Sequence, residues 1–286
     1  MRIGILADVH GNLQGLEAAW RALAAEGADL VLNLGDLVQY GPHPEECVAF
    51  AMEHRIESVQ GNCDRAAARH RRDTGDEFEN IHWRRLAGRV LEWTSGRLSG
   101  RSGSWLRRLP GEMRFEVERV RILAVHGLPG RISVGLPDGS ALGAEDMLAE
   151  EARAERDGLT RSFDLLDVYD HLLEESRADL LLLGHTHSQA LIWRPSGLIV
   201  NPGSVGGGTL PSAGTAALAD IGNRRDISVS WIRFAFDGAA YARDCRAAGI
   251  PELFSRCILL GRDQRGAWHT PDTLLRQRWA LEEQES

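Results

Sequence analysis

The sequence contains no lysine: all 33 basic residues are arginines, set against 41 acidic residues, and the formal net charge is −8. The absence of lysine excludes Schiff-base lysine chemistry and the phosphate-binding P-loop, because both require a side-chain amine. The patterns G-x-S-x-G and G-x-G-x-x-G are absent as well. A serine-hydrolase elbow and a dinucleotide-binding fingerprint therefore have no basis in this chain.

Cysteine and long apolar runs are also scarce. Cys47, Cys63, Cys245 and Cys257 form no C-x-x-C pair and show no regular spacing, so we expect reduced thiols and a cytoplasmic location. The longest apolar stretch, around Leu180–Leu183, is far shorter than the roughly 18 residues that a membrane helix needs. An Asp and a His interrupt the opening MRIGILADVHGN, so we expect neither a secretory leader nor membrane contact.

Short apolar runs alternate with helical patterns over the first sixty residues. We predict strands at Ile3–Ala7, Leu30–Leu34 and Ile56–Val59, separated by helices that begin near Leu13 and His43. This strand–helix–strand order implies parallel strands with helical crossovers.

The remainder of the chain carries no linker and no repeat, so we predict one domain over residues 1–286. It would contain an inserted, Arg-rich helical element at about 65–112, with a Ser/Gly-rich break at 94–104, and a C-terminal extension after about 237. Further predicted strands are Met113–Val117, Val120–Val125, Leu180–Leu183, the hairpin of Ala190–Trp193 with Leu198–Val200, and alternating segments around 227–234. Further predicted helices are Ala144–Gly158 and Ser162–Arg177, after a loop that begins at Leu128.

Five polar clusters follow predicted strand ends, where open α/β sheets bind their ligands. They are Asp8-Val9-His10, Gly35-Asp36, Gly61-Asn62, His126-Gly127 and Gly184-His185-Thr186-His187. Mixed carboxylate, amide and imidazole donors suit first-row divalent ions. Seven donors exceed the needs of one tetrahedral ion but fit two ions that share a carboxylate, and such a pair can clamp a phosphoryl oxygen and acidify a bridging water.

The ordered set DVH…GD…GN…HG…GHTH resembles the calcineurin-like metallophosphoesterases, and GDLVQYGP, GNCD and NPGSVG resemble their small bacterial and archaeal phosphodiesterase branch. The resemblance implies a four-layer α/β/β/α sandwich of two mixed sheets, with a binuclear metal site at the carboxyl edge of the strands. It also implies a metal-bridging hydroxide that attacks phosphorus. Several divalent ions satisfy the same donors, and we favour Mn²⁺, with Fe, Zn, Ni or Mg as alternatives. Carried over residue by residue, the resemblance assigns Asp8, His10, Asp36 and His187 to the first metal, and Asp36, Asn62, His126 and His185 to the second.

One position departs from the pattern of many relatives, which carry a His directly after the ligand Asn. This chain has Cys63 there, and a thiol is a poorer general acid than an imidazolium at neutral pH. We therefore expect substrates with good leaving groups, or a proton donor from elsewhere, for which Asp64 is a candidate. Asn12 is a candidate phosphate contact, although capping of the helix that begins there is an equal alternative.

The Arg-rich stretch leaves two readings open. Residues 65–121 hold 14 arginines and eight acidic residues, interleaved with Trp83, Trp93 and Trp105. One interpretation is a cap that attracts a polyphosphate or nucleic acid and stacks a base. The favoured one is a solvated helical face with buried tryptophans.

The leading functional hypothesis is a metal-dependent phosphoesterase acting on a small phosphodiester or nucleotide-type substrate. A non-catalytic scaffold with the same fold is one alternative, although the retention of all four ligand histidines disfavours it. A phosphoprotein or phosphomonoester phosphatase is another, which GNCD in place of GNHE disfavours. The sequence leaves the oligomeric state open.

Overall fold

The computed structural model describes residues 1–76, 78, 80–136, 165–207, 210–223 and 226–262. The predicted helix Ala144–Gly158 lies outside these residues. We number the elements in chain order within the described ranges. The strands are β1 (Arg2–Leu6), β2 (Leu30–Asn33), β3 (Glu57–Ser58), β4 (Glu112–Val117), β5 (Val120–Val125), β6 (Leu180–Leu182), β7 (Gln189–Arg194), β8 (Gly197–Pro202), β9 (Ala213–Asn223) and β10 (Asp226–Ala235). The helices are α1 (Leu13–Ala25), α2 (Pro44–Glu53), α3 (Asn62–Ala68), α4 (Ile81–Arg97), α5 (Gly100–Arg108), α6 (Leu165–Ser176), α7 (Gly238–Ala248) and α8 (Glu252–Leu260).

The strands form two mixed five-stranded sheets. The first has the order β10-β9-β1-β2-β3, and the second has the order β4-β5-β6-β8-β7. Strands β1, β2 and β3 run parallel to one another, as the strand–helix–strand pattern predicts. The predicted hairpin is confirmed by β7 and β8, which pair antiparallel with Trp193 opposite Leu198.

Buried apolar side chains fill three layers, which gives the predicted α/β/β/α order. One layer lies between the first sheet and helices α1, α2 and α5. A second, built from inward-facing residues such as Ile5, Leu32, Ile122 and Leu180, joins the two sheets. A third packs α6 onto the second sheet. Alternation along the strands sends successive side chains into different layers, which is why each sheet buries both faces.

The predicted Ser/Gly-rich break at 94–104 is wrong in extent, because the chain leaves helical geometry only at Leu98 and Ser99. Within α4, the Ser95 hydroxyl donates to the Leu91 carbonyl at 2.8 Å. At the start of α5, the Ser99 hydroxyl accepts the Ser102 backbone N–H at 3.1 Å. These serines suggest a loop in the sequence. In the structure, one bonds to a backbone carbonyl within its helix and the other caps a helix N-terminus.

The tryptophans of the Arg-rich stretch pack inward. Trp83 is buried, and Trp93 is partly buried in the same apolar cluster. Trp105 packs against the core beneath α5. These positions agree with the reading of a solvated arginine face over buried rings.

Helices α7 and α8, which follow residue 237, pack onto the rest of the described molecule. Their buried side chains Tyr241, Cys245 and Phe254 share one apolar cluster with Tyr40 and Trp83. Within the described ranges, no helix combines the length and apolarity required to span a bilayer.

Candidate metal centre

Five of the seven predicted metal ligands have left-handed backbone conformations, which non-glycine residues seldom adopt. The φ angles are 55° at Asp8, 50° at His10, 57° at Asp36, 70° at His185 and 61° at His187. Each such residue costs about 1–3 kcal/mol and persists only where the surroundings enforce it. Here backbone hydrogen bonds do so: Asp8 N–H donates to the Gly35 carbonyl at 3.0 Å, and His10 N–H donates to the Asp36 carbonyl at 2.9 Å.

The first group of donors consists of Asp8, His10 and His187. The two histidine Nε2 atoms lie 2.9 Å apart, and they lie 3.8 Å and 3.5 Å from Asp8 Oδ1. The other carboxylate oxygen, Oδ2, accepts the His185 backbone N–H at 3.0 Å. Oδ1 is buried and accepts no hydrogen bond, so it remains available to the space between the two imidazoles.

The second group surrounds the His126 side chain. His126 Nε2 lies 3.3 Å from Asp36 Oδ2, 2.9 Å from Asn62 Oδ1 and 3.2 Å from His185 Nδ1. The other ring nitrogen, Nδ1, lies 2.8 Å from the Leu34 carbonyl. That carbonyl can only accept, so it holds a proton on Nδ1 and directs Nε2 toward the group, as outer-shell partners of metal ligands do. Loss of the Nε2 proton would then present a lone pair to a metal ion.

The electrostatics of both groups favour positive charge at their centre. Burial alone would lower the pKa of His126, but the carboxylates of Asp36 and Asp8 outweigh it and raise that pKa to about 10. Burial likewise opposes ionisation of the two acids, yet the surrounding histidines hold the pKa of Asp8 and of Asp36 below the usual range. Buried carboxylates and ring nitrogens that converge in this way are stabilised by a cation between them.

Close backbone approach shapes both groups. A Cβ built on Gly61 would overlap both the carboxylate and the backbone nitrogen of Asp36, and one on Gly184 would come within 3.2 Å of Asp8 Oδ2. Gly61 has an ordinary φ of −83°, so glycine is required there for space and not for backbone conformation.

Cys63 and Asp64 lie in the first turn of α3, directly after Asn62. The Cys63 backbone N–H donates to Asp36 Oδ1 at 2.9 Å. Burial, together with the nearby Asp36 and Asp76 carboxylates, raises the pKa of its thiol well above the usual value. The thiol is therefore protonated at neutral pH.

The Asp64 carboxylate faces backbone and not the space between the donors. It accepts N–H groups from Asp36 at 2.8 Å, Leu37 at 2.9 Å, Val38 at 3.3 Å and Gly61 at 3.1 Å. Burial and the Asp36 charge raise the pKa of Asp64 to about 7. This geometry favours a role in holding the Asp36 loop over the predicted role of proton donor.

Asn12 caps α1, since its Oδ1 accepts the Gly15 N–H at 2.9 Å. The side-chain nitrogen is buried and has no hydrogen-bond partner. The structure thus shows the helix-capping role, one of the two roles predicted for Asn12. The proposed phosphate contact stays a prediction.

The NPGS turn supports both groups from outside. Asn201 Nδ2 donates to the Gly184 carbonyl at 2.7 Å and to Thr186 Oγ1 at 3.0 Å. The Ser204 hydroxyl donates to the Asp8 carbonyl at 2.8 Å. The turn thereby fixes the two loops that carry Asp8 and the GHTH histidines.

Asp76 and Tyr40 lie beside the two groups of donors, although neither belongs to the polar clusters predicted from the sequence. Asp76 is buried and accepts hydrogen bonds from Asn62 Nδ2 at 2.8 Å, Thr74 Oγ1 at 2.8 Å and the Tyr40 hydroxyl at 3.3 Å. The Tyr40 ring lies 5.0 Å from the His10 ring, between centroids. In sequence, Asp73-Thr74-Gly75-Asp76 carries only the signal of a turn, so no local pattern marks Asp76.

The donor set fits divalent metal ions. One donor atom from each of Asp8, His10 and His187 lies within 4.8 Å of the other two, and the same holds for Asp8, Asp36 and His126. The mixture of imidazole nitrogen with carboxylate and amide oxygen suits first-row divalent ions. The buried Asp8 Oδ1 accepts no hydrogen bond and lies beside the His10 and His187 rings, so its surroundings fit a cation.

Two mixed sheets between helices, with buried histidine and carboxylate donors at their edge, are the architecture of the calcineurin-like phosphoesterases. Residues 1–224 match the family described as the calcineurin-like phosphoesterase superfamily domain, and the chain belongs to this family. The predicted membership is thus confirmed, and the family implies bound divalent metal.

Short segments of curated proteins also match. An uncharacterized protein from Methanocaldococcus jannaschii is 37% identical over 62 residues, which cover 22% of this chain and 26% of that protein. Phosphodiesterase YfcE from Escherichia coli K12 is 28% identical over 74 residues, which cover 22% of this chain and 40% of that protein. The matches therefore span less than half the length of these curated relatives.

Solved structures extend the likeness over most of the chain. A metallophosphoesterase from Sphaerobacter thermophilus has a TM-score of 0.61 at 26% identity, covering 91% of this chain and 99% of that one. A hypothetical protein from Pyrococcus horikoshii OT3 has a TM-score of 0.70 at 19% identity, covering 92% and 99%. The second likeness is one of fold alone.

Proposed function

We propose that this chain is a metal-dependent phosphoesterase that hydrolyses a small phosphodiester or nucleotide-type phosphoester. The observation that carries the proposal is the convergence of buried donors, with Asp8 Oδ1 left without a hydrogen bond between the His10 and His187 rings. Two divalent ions bound here, with Mn²⁺ favoured, would polarise a phosphoryl oxygen and lower the pKa of a bound water. The name of the YfcE relative, a phosphodiesterase, supports the substrate class.

The chain's own residues would then hold and orient this centre. Asp36, whose carboxylate contacts both the His126 ring and the Cys63 backbone, would bridge the two groups. Asp64 would keep the Asp36 loop in place through its backbone N–H acceptors. The thiol of Cys63 would stay neutral, which favours esters whose leaving oxygen departs without a proton.

Removal of metal should abolish activity. We expect chelator-treated protein to lose hydrolysis of bis-p-nitrophenyl phosphate and of p-nitrophenyl phosphate, and to recover the diester activity when Mn²⁺ is added back. The reason is that the buried donors supply no nucleophile of their own. Metal content of the untreated protein, measured by mass spectrometry, should show about two ions per chain if both groups are occupied.

Three results would change the proposal. Activity that survives full removal of metal would contradict the metal-dependent mechanism. Bound metal without turnover on either ester would favour a substrate narrower than the chromogenic probes, to be sought among natural nucleotides. Neither metal nor turnover would favour the non-catalytic scaffold.

Substitution of Cys63 by histidine should change the dependence on the leaving group. An imidazolium can donate a proton to a departing alkoxide, whereas p-nitrophenolate leaves without help. We expect Cys63→His to raise dinucleotide hydrolysis relative to bis-p-nitrophenyl phosphate hydrolysis by about tenfold, below the usual 10²–10⁴-fold range of general acids. The gain is limited because the native side chain is fully buried and the larger ring must displace its neighbours.

The matched control is Cys63→Ser, which keeps the size of the side chain without adding a proton donor of suitable pKa. Its ratio of the two rates should equal that of the native protein. An unchanged ratio in Cys63→His, in protein that still binds metal, would show that position 63 has no part in leaving-group departure.

A cytoplasmic location is part of the proposal and is supported by cysteine chemistry. All four cysteines are free thiols in buried positions, which suits a reducing compartment.

A further inference from the structure

We infer that Asp76 is a positioning residue for the proposed reaction: through its hydrogen bond to the Asn62 amide, it fixes the Asn62 oxygen toward the second group of donors. The inference rests on the proposed function, because it concerns how the metal centre is built. Asp76 lies in the Arg-rich stretch between α3 and α4, and it belongs to none of the five polar clusters found in the sequence.

The orientation of the Asn62 amide depends on which atoms surround it. Asn62 Nδ2 donates to Asp76 Oδ1 at 2.8 Å and to the Thr74 carbonyl at 3.2 Å. A carboxylate and a carbonyl can only accept, so a flipped amide would turn its oxygen toward two acceptors. The native orientation instead places Asn62 Oδ1 2.9 Å from His126 Nε2, among the predicted ligands.

Asp76 is itself held firmly enough to set this orientation. Its second oxygen accepts the Thr74 hydroxyl at 2.8 Å and the Tyr40 hydroxyl at 3.3 Å, and the Cys63 thiol lies 3.9 Å away. The residue is only 9% exposed. A carboxylate buried in this way persists when each oxygen has hydrogen-bond donors, and the donors here come from three separate segments.

The same carboxylate also reaches the first group of donors. The Tyr40 ring, whose hydroxyl donates to Asp76, lies against the His10 ring at 5.0 Å between centroids. Asp76 therefore links to one group through Asn62 and to the other through Tyr40. Asn62 is the only predicted metal ligand among the partners of Asp76. Loss of Asp76 should therefore lower the affinity for the second ion far more than the affinity for the first.

The test is calorimetric titration of chelator-treated, full-length protein with Mn²⁺. We expect the native chain to bind two ions and Asp76→Ala to bind one of them about 10–100-fold more weakly, the usual effect of losing an outer-shell partner. Asp76→Asn should recover most of this loss, because its amide oxygen can still accept from Asn62. The control, Asp73→Asn, alters an exposed carboxylate of the same loop that pairs with Arg84 and should change neither affinity.

A double-mutant cycle separates positioning from a general effect of charge. If Asp76 acts through Asn62, then Asp76→Ala should cost no further affinity in the Asn62→Ala background. Equal losses in both backgrounds, or native affinity for both ions in Asp76→Ala, would overturn the inference. Thermal unfolding of metal-free protein checks that each variant is folded, and Asp76→Ser serves in place of Asp76→Ala if the latter does not fold.

The outcomes for native protein keep the two proposals apart. Native protein that binds no Mn²⁺ and hydrolyses no ester would overturn the proposed function, and the inference with it. Native protein that binds two ions while Asp76→Ala binds them equally well would overturn only the role of Asp76.

Discussion

Substitution of Asp36 by asparagine is expected to weaken binding of both metal ions by at least about 100-fold and to remove phosphoesterase activity. Even an outer-shell partner of a ligand is typically worth 10–100-fold, and Asp36 is proposed to touch both ions. Asparagine keeps an oxygen for the Cys63 N–H, and it tolerates the left-handed backbone with φ of 57° at this position. The change therefore removes the charge while leaving the local backbone intact.

Metal content and Mn²⁺ titration check this expectation, with Asp220→Asn as a control. Asp220 lies on β9 of the same sheet and pairs with Arg2 at the surface, so its substitution should leave metal binding unchanged. Two ions at full occupancy in Asp36→Asn would show that Asp36 does not bridge them. Loss of one ion only would assign Asp36 to a single ion.

Substitution of Gly61 by alanine should disrupt the centre by steric means alone. The new Cβ would overlap the Asp36 carboxylate and backbone nitrogen, while the backbone conformation of Gly61 suits any residue. Overpacking of this kind costs about 1–3 kcal/mol. Because the group that must move is Asp36 itself, we also expect at least about tenfold weaker binding of metal, in line with the loss of an outer-shell partner.

Gly96→Ala is the matched control, since a Cβ at this exposed position in α4 meets no atom within 4 Å. Alanine is the better helix former, so this variant should be more stable than the native protein by about 0.5–1 kcal/mol. Chemical denaturation of metal-free protein measures both changes. A Gly61→Ala variant with native stability and native Mn²⁺ affinity would show that the Asp36 loop can move aside at no cost.

The parallel part of the fold could be predicted because its signals are local. Apolar runs such as Leu30–Leu34, separated by helical periodicity, specify strands and crossovers by themselves. The polar clusters then follow from topology, since parallel strands end at one edge. The structure brings the seven predicted ligands together there, while their binding of metal stays a prediction.

Other elements escaped prediction because their signals come from distant parts of the chain. Strand β9 is rich in alanine and glycine, which have little strand preference. Pairing with β1 and β10 on either side imposes its conformation. The start of helix α5 lies within the predicted Ser/Gly-rich break, because the sequence alone does not show that Ser99 caps this helix.

Asp76 escaped for the same reason. Its environment is assembled from Asn62, Thr74 and Tyr40, and the hydrogen bonds to Asn62 and Tyr40 cross 14 and 36 residues of sequence. Neither a periodic sequence pattern nor a short motif reveals hydrogen bonds between residues so far apart in the chain.

Helix α8 brings an aromatic ring close to the candidate metal centre. The family match ends at residue 224, yet Phe254 of α8 stacks on Tyr40 at 5.3 Å between ring centroids, and Tyr40 lies against the His10 ring. The aromatic packing behind the candidate metal centre therefore extends beyond the residues that match the family. A substitution in α8, far in sequence from the predicted ligands, can therefore act on the His10 ring through Tyr40.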